Sequence, residues 1–528
     1  DNMCAVCGKS MVPDEEPITT AYVPSGEVKR EMEQVTVAGF TMKVSETEAM
    51  SISQSQTERL FEQKKLSLVL DLDHTLVHAT ADPRAAQFEV REDVRTLLLP
   101  TENGQMMHHR VKLRPHLQFF LSQPNYEVTV YTAGTRAYAE QITVILSRHM
   151  VGAQLDHSDI LQLQNQVKRA EKTLKTQSGG DSGDSKPAAT LKPPADEGTS
   201  SPPRKRVRFG GPASNVKTDE TTITLDEVEK LRTELKEAEQ KEKEALAMRQ
   251  KIFGSRIVSR TDVGDLGQNV KSLKRIFPCG GTMSVIADDR EDVWANAKEM
   301  FKEPPHNLLL VQPYHWKPFS GFADINNAAG ADLTKGSSKE EASGSSEIES
   351  DKQLLQTQYI LERVHSRYYA RNGKMTVPEI LKEMRMETLR GCRIILSGLV
   401  PLHKQQDDYK GPRHPLLRYT ESMGAKLLMS IDPSATHVVA AADGTEKIVR
   451  ARKIPCCYVV KVSWLMDSYW SLKRSPELDH LLGSPPRPRV SEARPAMPAA
   501  RGGVALASNS TDDDDDEDDG FADALWDG

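Results

Sequence analysis

Aromatic residues, cysteines and long apolar runs are all scarce in this sequence of 528 residues. Aromatic residues make up 5% and hydrophobic residues 38%, which is low for a chain packed throughout, so we expect sizeable disordered segments. No apolar run approaches the roughly 18 residues of a transmembrane helix, and no secretory signal opens the chain, so no membrane partner is expected. The six cysteines are too sparse for a disulfide framework and indicate a reducing compartment.

Charge is spread unevenly along the chain, although the formal net charge is only −7. A basic run occupies Arg204–Arg208, and an acidic run occupies Asp512–Asp519. No overall basic field favours non-specific nucleic-acid binding, so no direct nucleic-acid contact is expected. The short basic run, which follows two prolines, matches a nuclear import signal, and a nuclear location is therefore expected.

The length predicts two or three domains joined by linkers. We expect a mostly irregular N-terminal segment at 1–59, an α/β domain at 60–325, a linker at 326–350, a helical connector at 351–385, a second compact α/β domain at 386–483 and a disordered acidic tail at 484–528.

The first α/β domain contains an insertion at 150–250. Residues 155–175 and 223–250 carry apolar residues at spacings of three and four, which predicts two amphipathic helices that can pair with each other. Residues 176–220, between them, are rich in glycine, serine, proline and charge, which predicts disorder.

Three short apolar runs predict buried strands, and each run stops at polar residues. They are Leu66–Leu70, Val128–Tyr131 and Met283–Ala287. Helical stretches lie between them, which predicts a parallel, doubly wound sheet. In such a sheet ligands bind beyond the carboxyl ends of the strands, so the polar residues after the three runs are expected to meet.

The acids after the first and third runs suit phosphoryl transfer. Asp71 and Asp73 can point the same way if the strand geometry continues, one as a nucleophile and the other as a proton donor and acceptor. Asp288 and Asp289 can bring a hard cation such as Mg²⁺ to offset the negative charge. Thr132 offers a hydroxyl and a backbone N–H to phosphoryl oxygens. The alternative is that such acids only form turns and helix caps.

The residues around these acids resemble the haloacid-dehalogenase-type phosphatases that act on the C-terminal domain of RNA polymerase II. The matching blocks follow the order found in that family: Leu68–His78, Lys112–Pro115, Tyr131–Ala139, Arg256–Arg260 with Lys271–Pro278, and Asp288–Trp294. The resemblance implies a Rossmannoid phosphatase domain, Mg²⁺ as cofactor and phosphoserine in the heptad repeats of the polymerase as substrate.

The resemblance also assigns roles at this site. Asp71 would be the nucleophile and Asp73 the general acid and base. Thr132 and Lys271 would bind the transferring phosphate. Arg114 would support the site or contact the substrate.

The same resemblance implies a metal site and marks one departure. Asp71, Asp288 and the backbone carbonyl of Asp73 would hold Mg²⁺, with Asp289 close by. Ser147 stands where the family usually has aspartate, so the contact made by that aspartate is in doubt here.

Residues 386–483 resemble a BRCT domain, through Gly391–Gly398, Gly424, Thr436–Val439 and Trp464 among others. A phosphatase domain followed by a BRCT domain resembles the polymerase phosphatases associated with transcription factor IIF. Ser397, Gly398 and Lys447 could form a phosphate pocket, or they are a strand-turn glycine and a solvated lysine. Trp464 is expected in the core.

Both ends of the chain carry further motifs. Cys4 and Cys7 are half of a zinc site or are unliganded. In the tail, Phe521, Leu525 and Trp526 can share one helical face beside the acidic run, which favours binding in a partner's groove over a purely solubilising role. The resemblance implies transcription factor IIF as that partner.

Two other functions remain as alternatives. One is a related phosphatase or phosphotransferase with a small-molecule substrate, which the BRCT-like domain and the tail disfavour. The other is an inactive scaffold that only binds phosphoproteins, which the acids and Lys271 disfavour.

Overall fold

The computed structural model covers most of both expected α/β domains. It describes residues 32–37, 40–100, 104–178, 223–267, 270–295, 304–319, 351–406 and 410–487. The linker predicted at 326–350 lies outside these residues, as does nearly all of the disorder predicted at 176–220 and 484–528. None of the helices in these ranges is long and apolar enough to cross a membrane.

The end of the N-terminal segment is regular. It contains the antiparallel hairpin of β1 (Met32–Val37) and β2 (Phe40–Ser45), followed by helix α1 (Glu46–Glu62). The mostly irregular structure predicted for 1–59 is therefore wrong for its described part. Helix α1 begins with a capping box, in which Ser45 and Glu48 bond each other's backbone N–H groups. Its apolar signal is weak because it buries only Ala49 and Leu60.

The first domain is built on a five-stranded parallel sheet with a smaller sheet beside it. Its strands are β3 (Leu66–Leu70), β4 (Val77–Thr80), β5 (Val94–Pro100), β6 (Met106–Leu113), β7 (Tyr126–Tyr131), β8 (Ile257–Val258), β9 (Ser284–Asp288) and β10 (Leu308–Leu310). The parallel sheet has the order β10-β9-β3-β7-β8. The three predicted strands are its central neighbours, so the predicted parallel sheet is confirmed. All five residues of β3 are buried, as expected for a strand covered on both faces.

The smaller sheet, with the order β4-β6-β5, is antiparallel and was not predicted. Its strand β6 begins with three exposed residues and carries two histidines and a lysine. Such a strand has no continuous apolar run, because its first half does not enter the core. Sequence periodicity therefore gave little signal for it.

Helices of the first domain flank the parallel sheet and form the insertion. They are α2 (Leu117–Leu121), α3 (Arg136–Met150), α4 (His157–Ser178), α5 (Leu225–Ile252) and α6 (Asp292–Ala295). The two predicted insertion helices are confirmed as α4 and α5, and they pack against each other. A 2.6 Å ion pair joins Arg232 to Glu171 across this pair. A second pair, Arg148–Glu242 at 2.6 Å, ties α5 to α3.

The connector forms part of the core of the first domain. It consists of α7 (Gln353–Ala370) and α8 (Val377–Thr388). Ile360, Leu361 and Val364 of α7 are buried in the same apolar cluster as Leu68 of β3. The hydroxyl of Tyr126 donates to the backbone carbonyl of Leu361 at 2.6 Å. The connector is thus packed on the sheet and is not a loose tether.

The second domain has a four-stranded parallel sheet with the order β12-β11-β13-β14. Its elements are β11 (Arg393–Ser397), α9 (Leu402–Gln405), α10 (Pro415–Ser422), β12 (Lys426–Leu427), β13 (His437–Ala440), α11 (Glu446–Ala451), β14 (Tyr458–Lys461) and α12 (Val462–Ser471). Trp464 is fully buried and stacks on His437 with ring centroids 4.5 Å apart, so its predicted core position is confirmed. Arg418 of α10 reaches Glu291 of the first domain at 2.6 Å.

We expect Ile360→Ala to lower the free energy of unfolding by about 2–5 kcal/mol, because it leaves a cavity where the connector meets the sheet. Leu246→Ala is the control, since Leu246 on α5 is 54% exposed and its truncation creates no cavity. Urea denaturation of both variants checks this. Equal losses in the two variants would show that the connector does not contribute to this core.

Candidate active site

The predicted acids meet at the carboxyl edge of the parallel sheet. Asp71 follows β3 and Asp288 ends the neighbouring β9, where the Asp71 N–H donates to the Ala287 carbonyl at 3.0 Å. They line one pocket with Asp73, Thr132, Lys271 and Asp289 of the predicted groups. The pocket residues are Asp71, Asp73, Thr132, Ala133, Lys271, Asp288, Asp289, Arg290 and Val293. The structure thus brings together residues that come from four separate parts of the chain.

Lys271 lies between two of these carboxylates. Its Nζ donates to Asp71 Oδ1 and to Asp288 Oδ2, at 2.6 Å in each case. The rings of Tyr131 and Trp294 lie 5.9 and 5.8 Å from the same nitrogen. The backbone N–H of Lys271 donates to the Val293 carbonyl at 2.8 Å, which fixes this coil segment against the start of α6. Two ion pairs, two aromatic rings and a backbone hydrogen bond therefore fix the position of Lys271.

Asp288 has further partners to which sequence reasoning assigned no role. The indole Nε1 of Trp294 donates to Asp288 Oδ2 at 2.9 Å. The backbone N–H of Arg290 donates to Asp288 Oδ1 at 2.8 Å. Trp294 ends the sequence block that begins at Asp288, so the sequence already indicated that Trp294 lies close to Asp288. The direction of its indole N–H was not.

Burial and mutual repulsion perturb the acids of the pocket. Burial holds the pKa of Asp71 well above its usual range, and Asp288, Asp289 and Asp73 add to this while Lys271 opposes it. Burial, with repulsion from Asp288, raises the pKa of Asp289 to about 7. For Lys271, attraction to Asp288 and Asp71 outweighs burial and raises the pKa of the amine. The amine therefore stays charged, whereas burial and mutual repulsion disfavour the charged forms of Asp71 and Asp289.

The donor set of the pocket fits a hard cation. Asp71, Asp288 and Asp289 each offer a carboxylate oxygen, and these oxygens lie within 4.8 Å of one another. Carboxylate oxygens are the ligands that such cations prefer, and a cation would relieve the repulsion that raises the acid pKa values. This acidic cluster can therefore bind a metal. The Asp73 side chain accepts a hydrogen bond from the Tyr138 hydroxyl.

Thr132 lies in the pocket, but only part of its predicted contact is possible. Its backbone N–H donates to the Val258 carbonyl at 3.0 Å, because β7 pairs with β8 up to this point. The N–H is thus not offered to a phosphate, and that part of the prediction is wrong. Its hydroxyl oxygen accepts the backbone N–H of Gly134 at 3.0 Å.

Arg114 lies behind the pocket and not in it. Its side chain is fully buried and donates to the Asp351 carboxylate at 3.1 Å and to the Thr75 carbonyl at 3.0 Å. The guanidinium also lies 5.3 Å from the ring centroid of Tyr314. Of the two predicted roles, this geometry fits support of the site and not contact with substrate. Asp351, at the start of the connector, was not foreseen.

Ser147 has no place in the pocket either. It is buried on α3, where its hydroxyl donates to the Thr143 carbonyl one turn earlier at 2.7 Å. The hydroxyl of Ser147 thus bonds its own helix.

The predicted phosphate pocket of the second domain is engaged in internal bonds. The Ser397 hydroxyl is 2.9 Å from that of Thr445, and Gly398 has a φ of +72°. Lys447 Nζ donates to the Leu396 carbonyl at 3.2 Å, and burial lowers the pKa of this lysine. The side-chain polar groups of Ser397 and Lys447 thus bond protein partners.

The terminal motifs and the import signal fall outside the described residues. They comprise Cys4, Cys7, Arg204–Arg208, Phe521, Leu525 and Trp526.

We expect Asp351→Asn to lower the free energy of unfolding by about 2–4 kcal/mol, because it leaves the buried guanidinium of Arg114 without its charge partner. Glu171→Gln breaks a solvent-exposed pair with Arg232 and should cost less than about 1 kcal/mol. Urea denaturation of both variants tests the difference. Similar small losses in the two variants would contradict a supporting role for the Arg114–Asp351 pair.

Curated proteins with similar sequences are named RNA polymerase II C-terminal-domain phosphatases. The chain is 24% identical to the phosphatase of this kind from Schizosaccharomyces pombe, in a match that covers 91% of this chain and 65% of the relative. It is 26% identical to the one from Caenorhabditis elegans, covering 88% of this chain and 52% of the relative. The chain thus spans about half to two thirds of the length of these relatives.

The fold is shared with solved structures of one such phosphatase. The structure of Fcp1, an essential RNA polymerase II CTD phosphatase, superimposes with a TM-score of 0.51 at 24% identity and covers 82% of this chain and 100% of the other. This agrees with the predicted Rossmannoid domain, helical insertion and second α/β domain. Residues 66–176 match the family described as NLI interacting factor-like phosphatase. This match over residues 66–176 agrees with the phosphatase family that the sequence resembles.

Proposed function

We propose that this chain is a Mg²⁺-dependent protein-serine phosphatase that forms a phospho-aspartate intermediate on Asp71. One observation carries the proposal. Asp71, Lys271 and Asp288 are joined by two 2.6 Å contacts although Lys271 lies 200 residues from Asp71. Asp73 and Thr132 line the same pocket. Turn-forming or capping acids would not need to converge on one buried lysine.

The first step transfers the phosphoryl group to the enzyme. A carboxylate oxygen of Asp71 attacks phosphorus while the bond from phosphorus to the serine oxygen breaks. Asp73 gives a proton to that oxygen as it leaves. Lys271, held beside Asp71 Oδ1, would balance part of the charge on the phosphoryl oxygens, and the Thr132 hydroxyl would contact them.

The second step returns Asp71 to its free form. Asp73, now a carboxylate, takes a proton from a water molecule that attacks the phosphorus. The bond between phosphorus and Asp71 breaks, and inorganic phosphate leaves. The carboxylates of Asp71 and Asp288, with Asp289 beside them, would hold Mg²⁺. When bound, the cation supplies neutralisation of the negative charge on the phosphoryl group and the acids.

The proposed substrate is phosphoserine in the heptad repeats of the C-terminal domain of RNA polymerase II. The names of the relatives from Schizosaccharomyces pombe and Caenorhabditis elegans support this substrate. The proposed setting is the nucleus, where the enzyme would recycle or regulate the polymerase in transcription. The proposed partner of the acidic tail, through Phe521, Leu525 and Trp526, is transcription factor IIF.

We expect Asp71→Asn to lower turnover of a phosphoserine heptad peptide by about 1000-fold or more, because an amide cannot act as the nucleophile. EDTA should abolish turnover in the wild type, and added Mg²⁺ should restore it. Asp82→Asn is the control, since Asp82 is buried but lies outside the pocket. A release assay for inorganic phosphate measures all three proteins.

Other outcomes of this assay favour the alternatives. Turnover of sugar phosphates well above that of the peptide would favour a small-molecule phosphatase. Absence of turnover on every substrate, with retained peptide binding, would favour the inactive scaffold. Full activity in EDTA or in Asp71→Asn would overturn the proposed mechanism.

Metal binding should depend on pH through Asp289. Its raised pKa of about 7 means that a proton competes with the cation for this carboxylate at lower pH. We expect Mg²⁺ affinity to rise between roughly pH 5.5 and 7 and to level off above that range. Calorimetric titration of wild type and Asp289→Asn measures it. The variant should bind more weakly and with a flatter pH dependence, and identical profiles would contradict the assignment.

A further inference from the structure

The hydroxyl of Tyr138 donates a hydrogen bond to Oδ1 of Asp73. The sequence resemblance gave no role to this tyrosine, although it lies in a matching block. We propose that Tyr138 is a positioning residue for Asp73, which directs the general acid toward the leaving oxygen and stabilises the carboxylate that forms there. This inference rests on the proposed function, because it presumes that Asp73 delivers the proton.

The chain fixes Tyr138 from its backbone outward. Tyr138 lies in the first turn of α3, and its backbone N–H donates to the hydroxyl of the capping residue Thr135 at 3.3 Å. Its side chain belongs to the main apolar core, and the residue is only 6% exposed. A buried ring on a capped helix turn has little freedom, so its hydroxyl is held in one place relative to Asp73.

Gly134 gives the tyrosine ring its space. A Cβ atom added at Gly134 would lie 2.6 Å from Cδ1 of Tyr138 and 3.4 Å from Oγ1 of Thr132. The first distance is far below a normal carbon contact, so any other residue would have to displace the ring. The N–H of Gly134 also donates to Thr132 Oγ1 at 3.0 Å. Gly134 therefore bonds the threonine proposed to contact the phosphate and also leaves space for the tyrosine ring that reaches Asp73.

Tyr138 does not line the pocket itself but bonds Asp73, which does, so the proposed role acts through Asp73. Its O–H donates to Oδ1, which assigns the transferable proton of Asp73 to Oδ2. When that proton moves to the serine oxygen, negative charge develops on the carboxylate. The hydrogen bond from Tyr138 strengthens as this charge appears, which stabilises the transition state more than the ground state.

This role predicts a dependence on the leaving group. Phosphoserine leaves as a strongly basic alkoxide unless it is protonated, whereas an acidic phenol leaves without help. We therefore expect Tyr138→Phe to lower kcat/KM for a phosphoserine heptad peptide by about tenfold to a hundredfold, as for loss of a hydrogen bond to a charged group. For a phosphate ester of an acidic phenol, kcat/KM should change less than about twofold.

The experiment measures kcat/KM of the full chain with Mg²⁺ for the peptide and for a series of aryl phosphates with increasingly basic phenols. The variants are Tyr138→Phe, Asp73→Asn and the double variant. Tyr126→Phe is the matched control, since it also removes a buried tyrosine hydroxyl, here bonded to the Leu361 carbonyl far from the pocket. The control should follow the wild-type dependence on phenol basicity.

Two results together support the proposal. Tyr138→Phe should steepen the dependence of kcat/KM on phenol basicity, in the same sense as Asp73→Asn. In the Asp73→Asn background the tyrosine substitution should add little, because the group through which it acts is already gone. A uniform loss on every substrate, no loss at all, or full additivity in the double variant would overturn the role of Tyr138.

The design separates this inference from the proposed function. If Asp73→Asn itself shows no dependence on the leaving group, the proposed acid role of Asp73 fails. If Asp73→Asn shows the dependence and Tyr138→Phe does not, only the positioning role fails. If Tyr138→Phe does not fold, as judged by its melting temperature, Gly134→Ala replaces it in the comparison of kcat/KM with phenol basicity. The Cβ added in Gly134→Ala pushes the tyrosine ring away from Asp73. A wild-type slope in Gly134→Ala would then overturn the role.

Discussion

Lys271 places a buried positive charge in a pocket that four aspartates and Arg290 also line. Two of the carboxylates, those of Asp71 and Asp288, share its amine at 2.6 Å. Burial makes each unbalanced charge costly, which raises the pKa values of Asp71 and Asp289. A site with this excess of acid is suited to a cation and to a phosphoryl group that arrives with it.

Residues outside this pocket support the backbone around it. Arg114 donates to the Thr75 carbonyl, close in sequence to Asp71 and Asp73, and to the carboxylate of Asp351 at the start of the connector. The connector in turn packs its apolar residues into the core of the sheet. The geometry of the acids is thus coupled to a segment that begins 237 residues after Arg114. The insertion, by contrast, attaches to α3 through Arg148 and Glu242, and its described residues, 150–178 and 223–250, are not in the pocket lining.

The elements that the sequence predicted best are those in which buried residues and polar site residues follow one another along the chain. The strand β3 is buried on both faces and is followed by acids of the pocket, so an apolar run and a cluster of site residues are adjacent in the sequence. The insertion helices α4 and α5 were visible because they bury one face each against the other. The antiparallel sheet was not predicted because β6 begins with three exposed residues and carries His108, His109 and Lys112. Helix α1 was not predicted because only two of its residues are buried.

The sequence alone determined which residue types could do the chemistry: the acids after β3 and β9, Thr132, Lys271 and the order of their blocks. The local sequence pattern carries this information because the end of a strand and the polar residues that follow it are adjacent along the chain. Only the tertiary structure decided how the groups face one another. The Thr132 N–H is bound to Val258, Arg114 turns to Asp351, and Tyr138 reaches Asp73. Such directions depend on contacts between distant segments, which no local periodicity encodes.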